Sequence, residues 1–191
     1  MKRVTAAVLV SFLLASGIAA AAEYEPDASD RTKLGEFAPS SPPFPAPTIS
    51  LIDSSGHSVE LADLKGKLVV VNLWATWCEP CLREMPSLER LQSRLGERIA
   101  VLAVSEDRGG NKTVEPFIAK LGLKSVKVYV DAKSEVGRAF GARGLPSSFL
   151  IGRDGKVLGR VEGAAEWDSP KILGVLEPLL SGDGVVKASS R

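Results

Sequence analysis

Both cysteines of the chain lie within one short stretch of sequence, Trp77-Cys78-Glu79-Pro80-Cys81-Leu82. Two sulfurs separated by two residues can close a small disulfide ring and open it again. The chain has no third cysteine, so the pair cannot belong to a larger disulfide framework. The stretch therefore indicates either a redox centre or part of a metal site.

Metal and structural roles explain the pair less well than redox chemistry. A haem-attachment motif needs histidine directly after the second cysteine, where this chain has Leu82. A structural zinc site needs about four ligands, and the chain adds only His57, which falls in a predicted turn. Cu(I) can bind two thiolates, although only Met85 is near enough in sequence to complete such a site. A structural disulfide would close a very small loop and add little stability, so we predict a redox pair without metal or cofactor.

The cysteine pair lies at the junction of a predicted strand and a predicted helix. Leu68–Trp74 is a continuous apolar run, typical of a buried central strand, and apolar residues then recur at helical spacing until Gly96. A helix N-terminus carries free N–H groups and partial positive charge, which would stabilise a thiolate at Cys78. Pro80 suits the first turn, and Cys81 lies one turn further in. We therefore expect Cys78 to attack a partner disulfide and Cys81 to resolve the mixed disulfide.

The residues around the pair suggest further roles. Trp77 offers an apolar platform to a partner protein or packs in the core. Glu79 places a negative charge beside Cys78, which opposes thiolate formation, although water weakens this effect. Asn72 lies in the preceding strand, where its side chain either forms hydrogen bonds beneath the cysteines or satisfies backbone groups.

The rest of the chain alternates between strand-like and helix-like patterns from residue 48 onward. Two short strand-like runs flank a turn at 53–57, and Asp154-Gly155 marks a second hairpin. Further strands are expected at 99–104 and 126–130, and helices at 113–121, 134–140 and about 170–180. This order predicts an α/β fold with a mixed central sheet, an N-terminal β-hairpin extension and flanking helices.

Composition limits the class of protein. The 191 residues are 45% hydrophobic and 25% charged, and the net charge of +1 comes from interspersed acidic and basic residues. After the ends are subtracted, this is about the length of one domain. No stretch has the charge pattern of a nucleic-acid-binding surface, so we expect no nucleic-acid partner.

The N-terminus is typical of a secretory segment. Lys2 and Arg3 precede an uncharged, mostly apolar stretch over residues 4–22, and small residues then meet Glu23. The stretch has 19 residues, which is close to the ~20 that span a bilayer. Cleaved signal peptide and retained membrane anchor both remain open. Either alternative places the rest of the chain outside the cytoplasm.

Proline-rich sequence separates this segment from the folded part. Residues 23–47 are expected to form a linker, or else an arm that lies on the domain with Phe44 packed against it. The predicted organisation is therefore a signal peptide or anchor at 1–22, a linker at 23–47, a folded domain at 48–182 and a flexible tail at 183–191.

Residues 72–86 resemble the active-site signature of the TlpA/ResA branch of the thioredoxin superfamily. Residues 144–151, followed by Asp154-Gly155-Lys156, resemble that family's cis-proline strand and hairpin, and residues 163–167 are similar to the segment before its last helix. The resemblance covers about residues 48–180 and implies a thioredoxin fold.

The resemblance also implies roles for individual residues. Cys78 would attack and Cys81 would resolve. Pro146 would follow a cis bond, and Leu145 would present its backbone opposite the cysteines to pair with a substrate strand. Trp77, Glu79 and Pro80 would contribute to the same substrate-binding surface. Asn72 stands where cytoplasmic thioredoxins have a buried acid, and Glu106 is the candidate to transfer protons in its place.

The family's activity implies an extracytoplasmic thiol:disulfide oxidoreductase that reduces partner proteins in the periplasm, anchored to the inner membrane if residues 4–22 are retained. Its partners would be a cytochrome oxidase assembly factor or apocytochrome c, and a membrane transporter that supplies thiol-reducing electrons. The protein would act as a monomer. The alternative from another class is a non-enzymatic Cu(I)-binding assembly factor that uses the same cysteines. A general oxidant of secreted proteins is a third possibility.

Overall fold

The computed structural model describes residues 35–53 and 55–181. The predicted signal peptide or anchor at 1–22, the first part of the predicted linker and the tail at 183–191 lie outside these residues. Within the described ranges, no helix combines the length and apolar character needed to cross a membrane.

Apart from β1 (Phe37–Pro45), which was not expected as a strand, the strands and helices of the described residues lie within two residues of the bounds expected from sequence. Their bounds are β1 Phe37–Pro45, β2 Ser50–Ile52, β3 Ser58–Glu60, β4 Leu68–Trp74, α1 Glu79–Leu95, β5 Ile99–Ser105, α2 Asn111–Leu121, β6 Lys127–Val130, α3 Glu135–Phe140, β7 Ser147–Ile151, β8 Lys156–Glu162 and α4 Pro170–Ser181, with short 3-10 turns at Leu61–Leu64 and Gly96–Arg98.

A six-stranded sheet in the order β1-β8-β7-β4-β5-β6 forms the centre of the fold, and β2 and β3 form a separate hairpin. Strands β4, β5 and β6 are parallel, whereas β7 and β8 run antiparallel to their neighbours. Helices α1, α2 and α4 contribute to the apolar core on one face, and α3 and the hairpin contribute to the core on the other. The predicted thioredoxin-like α/β fold with a mixed sheet is confirmed.

Strand β4 explains why the cysteines are presented at one edge of this sheet. All seven of its residues are buried, because successive side chains enter the two opposite cores, as with Val70 and Val71. Trp74 pairs with Ser105, and Ser105 pairs with Val130, so the three parallel strands end level with one another. Antiparallel β7 starts at this same edge, where Ser147 pairs with Leu73. Four connecting loops therefore converge next to the cysteines.

Residues 37–45, predicted to be part of a linker, form strand β1. Residues 37–45 pair antiparallel with β8, so the prediction of a linker that continues to residue 47 is wrong for these residues. Phe37 and Phe44 pack against the two opposite cores. The alternative of an arm on the domain is therefore the correct one for this part. The apolar area of these two rings compensates for the poor hydrogen-bonding capacity of the intervening prolines.

Substitution of Gly159 tests this packing. A methyl group at Gly159 would overlap the carbonyl oxygen of Ala38 and the ring of Phe37, so β1 would have to shift. We expect Gly159→Ala to lower the free energy of unfolding by about 1–3 kcal/mol in urea titrations. Gly174 in α4 has open space around it, so Gly174→Ala should raise the same quantity by about 0.5–1 kcal/mol. Equal stabilities for Gly159→Ala and the wild type would contradict the packing of β1 on β8.

Candidate active site

Cys78 and Cys81 are joined in a disulfide at the N-terminus of α1. Cys78 is the N-cap residue, and its sulfur accepts a hydrogen bond from the backbone N–H of Cys81 at 3.3 Å. The Cys78 side chain thus lies among the free N–H groups of the helix end, where a thiolate is stabilised after reduction. Cys78 retains 6% of its surface exposed and Cys81 retains none. Cys78 is thus slightly more exposed than Cys81, in the direction expected from the sequence.

Trp77 lies on the surface beside this disulfide, with 71% of its area exposed, so it does not pack in the core. Shallow depressions flank it on two sides. One contains Glu79 and Arg83, which form an ion pair at 3.2 Å, and the other contains Glu106 and Arg108. Because Arg83 offsets the charge of Glu79, the unfavourable effect of Glu79 on a nearby thiolate is reduced.

The segment before β7 lies at the same edge of the sheet. The Leu145–Pro146 bond is cis, as predicted. Pro146 is buried, and its carbonyl accepts a hydrogen bond from the N–H of Gly163 at 2.9 Å. Leu145 is partly exposed and packs against both cores. Because Ser147 pairs with the end of β4, these residues lie next to the loop that carries the cysteines.

Glu106, the residue predicted to transfer protons, follows β5 and lines one of the depressions beside Trp77. Burial raises the pKa of Glu106, and the nearby charge of Asp131 raises it further. A hydrogen bond from Ser134 and the positive charge of Arg138 act in the opposite direction. The structure thus brings Glu106 to the edge that holds the cysteines, and its role in proton transfer stays a prediction.

A second acid, Glu84, occupies a position that sequence analysis did not assign. It lies one helical turn after Cys81 and is only 2% exposed. One carboxyl oxygen accepts a hydrogen bond from Asn72 Nδ2 at 2.8 Å, and the other accepts from the N–H of Ala165 at 3.0 Å and from Nε1 of Trp167 at 3.2 Å. Burial raises the pKa of Glu84 to about 7, although these hydrogen bonds lower it. Glu84 is therefore an acid that titrates near neutral pH.

The position of Glu84 was detectable in the helical pattern. Cys81, Met85 and Leu88 are buried on the inward side of α1, and Glu84 lies on that same side. An ionisable residue among apolar residues on one face of a helix is the sequence signal that indicates a buried acid. The side chain of Asn72, for which the sequence allows two roles, donates hydrogen bonds to Glu84 and to Ser148 Oγ. It therefore belongs to a hydrogen-bond network beneath the active-site helix.

Metal-binding groups are not gathered at this site. Across the described ranges, no three or more histidine, cysteine, aspartate or glutamate side chains are arranged to hold a metal ion. His57 lies in the exposed turn between β2 and β3, where its Nδ1 contacts the Ser55 hydroxyl. Met85, considered as a copper ligand, is fully buried in the core under α1.

Known proteins resemble the chain over most of the folded part. The family model described as redoxin matches residues 42–176. The thiol-disulfide oxidoreductase ResA of Bacillus anthracis is 38% identical over 119 residues, which cover 62% of this chain and 68% of the relative. ResA of Geobacillus kaustophilus is 36% identical over 115 residues, which cover 59% of this chain and 64% of the relative.

Solved structures agree with these sequence relatives. A protein described as the thiol:disulfide interchange protein DsbE from Chlorobium tepidum has a TM-score of 0.61 and 29% identity, and the match covers 80% of this chain and 98% of that one. A thioredoxin from Neisseria meningitidis has a TM-score of 0.64 and 32% identity, with 71% and 89% covered. The chain therefore belongs to the redoxin family, within its TlpA/ResA-like branch, and is a thiol-disulfide oxidoreductase.

Proposed function

We propose that the chain is an extracytoplasmic dithiol reductant in which Cys78 attacks and Cys81 resolves. The observation that carries this proposal is the placement of Cys78 at the open N-terminus of α1, with Cys81 buried behind it. The Cys78 thiolate attacks one sulfur of a partner disulfide and releases the other as a thiolate. Cys81 then attacks the Cys78 sulfur. The partner leaves with two electrons as a dithiol, and the chain returns to its disulfide form.

A partner strand would bind between two surfaces that flank Cys78. On one side, partly exposed Leu145 has a backbone that can pair with an extended segment, and buried Pro146 follows it. On the other side, Trp77 presents an apolar ring, and Glu79 and Pro80 begin the helix. The convergence of these residues at one sheet edge supports their assignment to substrate binding.

Glu84 is the better placed of the two acids to accept the proton of Cys81. Cys81 must lose its proton to attack Cys78, and an acid with a pKa near neutral is suited to exchange that proton at physiological pH. Glu84 is three residues after Cys81 on the buried side of the same helix, so their side chains are neighbours. Glu106, in contrast, lies beside exposed Trp77 and would serve Cys78 or the leaving thiolate of the partner.

The proposal extends to the cellular setting. The apolar stretch at 4–22 supports export to the periplasm, either with cleavage or as an inner-membrane anchor. The resemblance to the TlpA/ResA branch supports a monomer that reduces a cytochrome oxidase assembly factor or apocytochrome c. Such a reductant needs electrons from a thiol-reducing membrane transporter, because its surroundings are oxidising.

An insulin-reduction assay, combined with Cu(I) titration, separates this proposal from the copper-binding alternative. With dithiothreitol as electron source, we expect the chain to accelerate reduction of insulin disulfides. Tight Cu(I) binding by the reduced chain, together with no acceleration, would overturn the proposal and favour a non-enzymatic assembly factor. A reduction potential far less negative than about −270 mV would instead indicate a general oxidant.

Trapping of partners tests the asymmetry of the two cysteines. Cys81→Ser should accumulate a mixed disulfide through Cys78, because the resolving thiol is absent. Cys78→Ser should trap little, because Cys81 is buried. Mass spectrometry of complexes captured from the periplasm would identify the partner. Equal yields from the two variants would contradict the assigned roles.

A further inference from the structure

Asp107 is a buried carboxylate next to the active-site loop, and the exchange reaction described above does not use it. It follows β5 and is 3% exposed. Its carboxylate accepts hydrogen bonds from the backbone N–H of Thr76 at 2.8 Å, from the Thr76 hydroxyl at 2.7 Å and from the Ser105 hydroxyl at 2.7 Å. A buried carboxylate is tolerated only when such bonds replace water. Asp107 and Thr76 therefore hold each other in one geometry.

The segment that Asp107 holds is the short connection between β4 and α1. Thr76 is directly followed by Trp77 and then by Cys78. Trp77 is mostly exposed, so its own packing does little to fix the connection. The backbone bond from the N–H of Cys78 to the carbonyl of Ala75, at 3.1 Å, makes the turn compact but does not anchor it to another element. Thr76 is instead anchored by Asp107, which lies in the connection between β5 and α2.

We propose that Asp107 is a positioning residue for disulfide exchange, which orients Cys78 toward a partner disulfide by anchoring Thr76. This inference rests on the proposed attack by Cys78. Thiolate attack on a disulfide requires three sulfurs nearly in line, so a loosely held turn lowers the rate even when the thiolate is fully formed. A misplacement of about 1 Å at a reacting atom can reduce a rate by roughly 100-fold. A small alkylating reagent approaches Cys78 from many directions and lacks this requirement.

Two rates measured on the same protein test the proposal. In the full chain with Cys81→Ser, Cys78 is the only thiol, and its mixed disulfide with insulin can be followed directly. We expect Asp107→Ala to reduce the rate of that step by about 10- to 100-fold. The limiting rate of alkylation by iodoacetamide, measured at a pH where Cys78 is fully ionised, should change by less than about threefold.

Two further variants separate anchoring from charge. Asp107→Asn keeps the shape, since its oxygen can accept from the Thr76 N–H while its amide donates to the Thr76 hydroxyl. We expect it to restore exchange to within about threefold of the parent rate. Thr76→Val removes the hydroxyl and keeps the N–H, so its exchange rate should fall between those of the parent and Asp107→Ala. It also provides a milder substitution if Asp107→Ala folds poorly.

Glu89 offers a matched control. Its carboxylate accepts hydrogen bonds from the N–H groups of Ser125 and Val126, so it also anchors a loop, but from a position about three turns along α1. Glu89→Ala should leave both rates unchanged.

Three results would overturn the role of Asp107. They are an unchanged exchange rate in Asp107→Ala, an equal fall in exchange and alkylation, and an Asp107→Asn rate as low as that of Asp107→Ala. A parent protein that forms no mixed disulfide through Cys78 would overturn the proposed function as well.

Discussion

Replacing Cys78 with serine is expected to reduce the turnover of insulin disulfides by about 10³-fold or more. The serine hydroxyl does not ionise near neutral pH, and it cannot form a mixed disulfide. The helix N-terminus that stabilises a thiolate at residue 78 gives no comparable help to a hydroxyl, because little charge develops there. Dithiothreitol-driven insulin reduction, followed by turbidity, measures the effect.

Cys81→Ser is the matched control for this prediction. Both variants lose the same Cys78–Cys81 disulfide, so they lose the same small stabilisation expected for closing such a short loop. They should differ in the first chemical step alone: Cys81→Ser still reacts once with insulin, and Cys78→Ser does not. Single-turnover reactivity in Cys78→Ser at the level of Cys81→Ser would show that the buried cysteine can attack partners directly.

Replacing Glu84 with glutamine is expected to remove a contribution to the free energy of unfolding that the wild type loses between pH 4 and pH 8. The carboxyl has a pKa of about 7 in the folded protein, against an ordinary value of 4.5. The folded state therefore binds more protons than the unfolded state between these values. The stabilisation is fully present below pH 4.5 and is lost as the pH rises through 7. The shift corresponds to about 3 kcal/mol, since one pKa unit is worth about 1.4 kcal/mol.

Urea unfolding of the oxidised proteins at several pH values measures this effect. The free energy of unfolding of Glu84→Gln, minus that of the wild type, should rise with pH by about 3 kcal/mol from pH 4 to pH 8. Glu177→Gln, at an exposed position of α4, serves as control and should follow the wild type at every pH. Parallel curves for Glu84→Gln and the wild type would show that Glu84 is not the buried titrating group.

Much of the fold followed from local patterns. The apolar run at 68–74 predicted the central strand, and the Asp154-Gly155 turn predicted the β7–β8 hairpin, because both signals depend on neighbours within a few residues. The prolines between Pro39 and Pro47 predicted a linker or an arm on the domain and did not decide between them. Packing of Phe44 on the domain was one of these two alternatives, and packing of Phe37 was not predicted, since the residues that both rings contact lie far along the chain.

The sequence by itself determined the chemistry of the site. Two cysteines two residues apart, after a buried strand and before a helix, place a thiolate at a helix N-terminus, and helix geometry covers the second sulfur. These relations are local, so no long-range contact was needed to predict them.

Only the tertiary structure decided the burial and the hydrogen-bond partners of Glu84 and Asp107. Glu84 titrates near neutral pH because burial and partners from residues 72, 165 and 167 act on it together. Asp107 holds Thr76 because β4 and β5 end level with each other. Desolvation and hydrogen-bond partners depend on which segments, distant in sequence, pack together in the fold. The spacing of residues along the sequence does not show which segments these are.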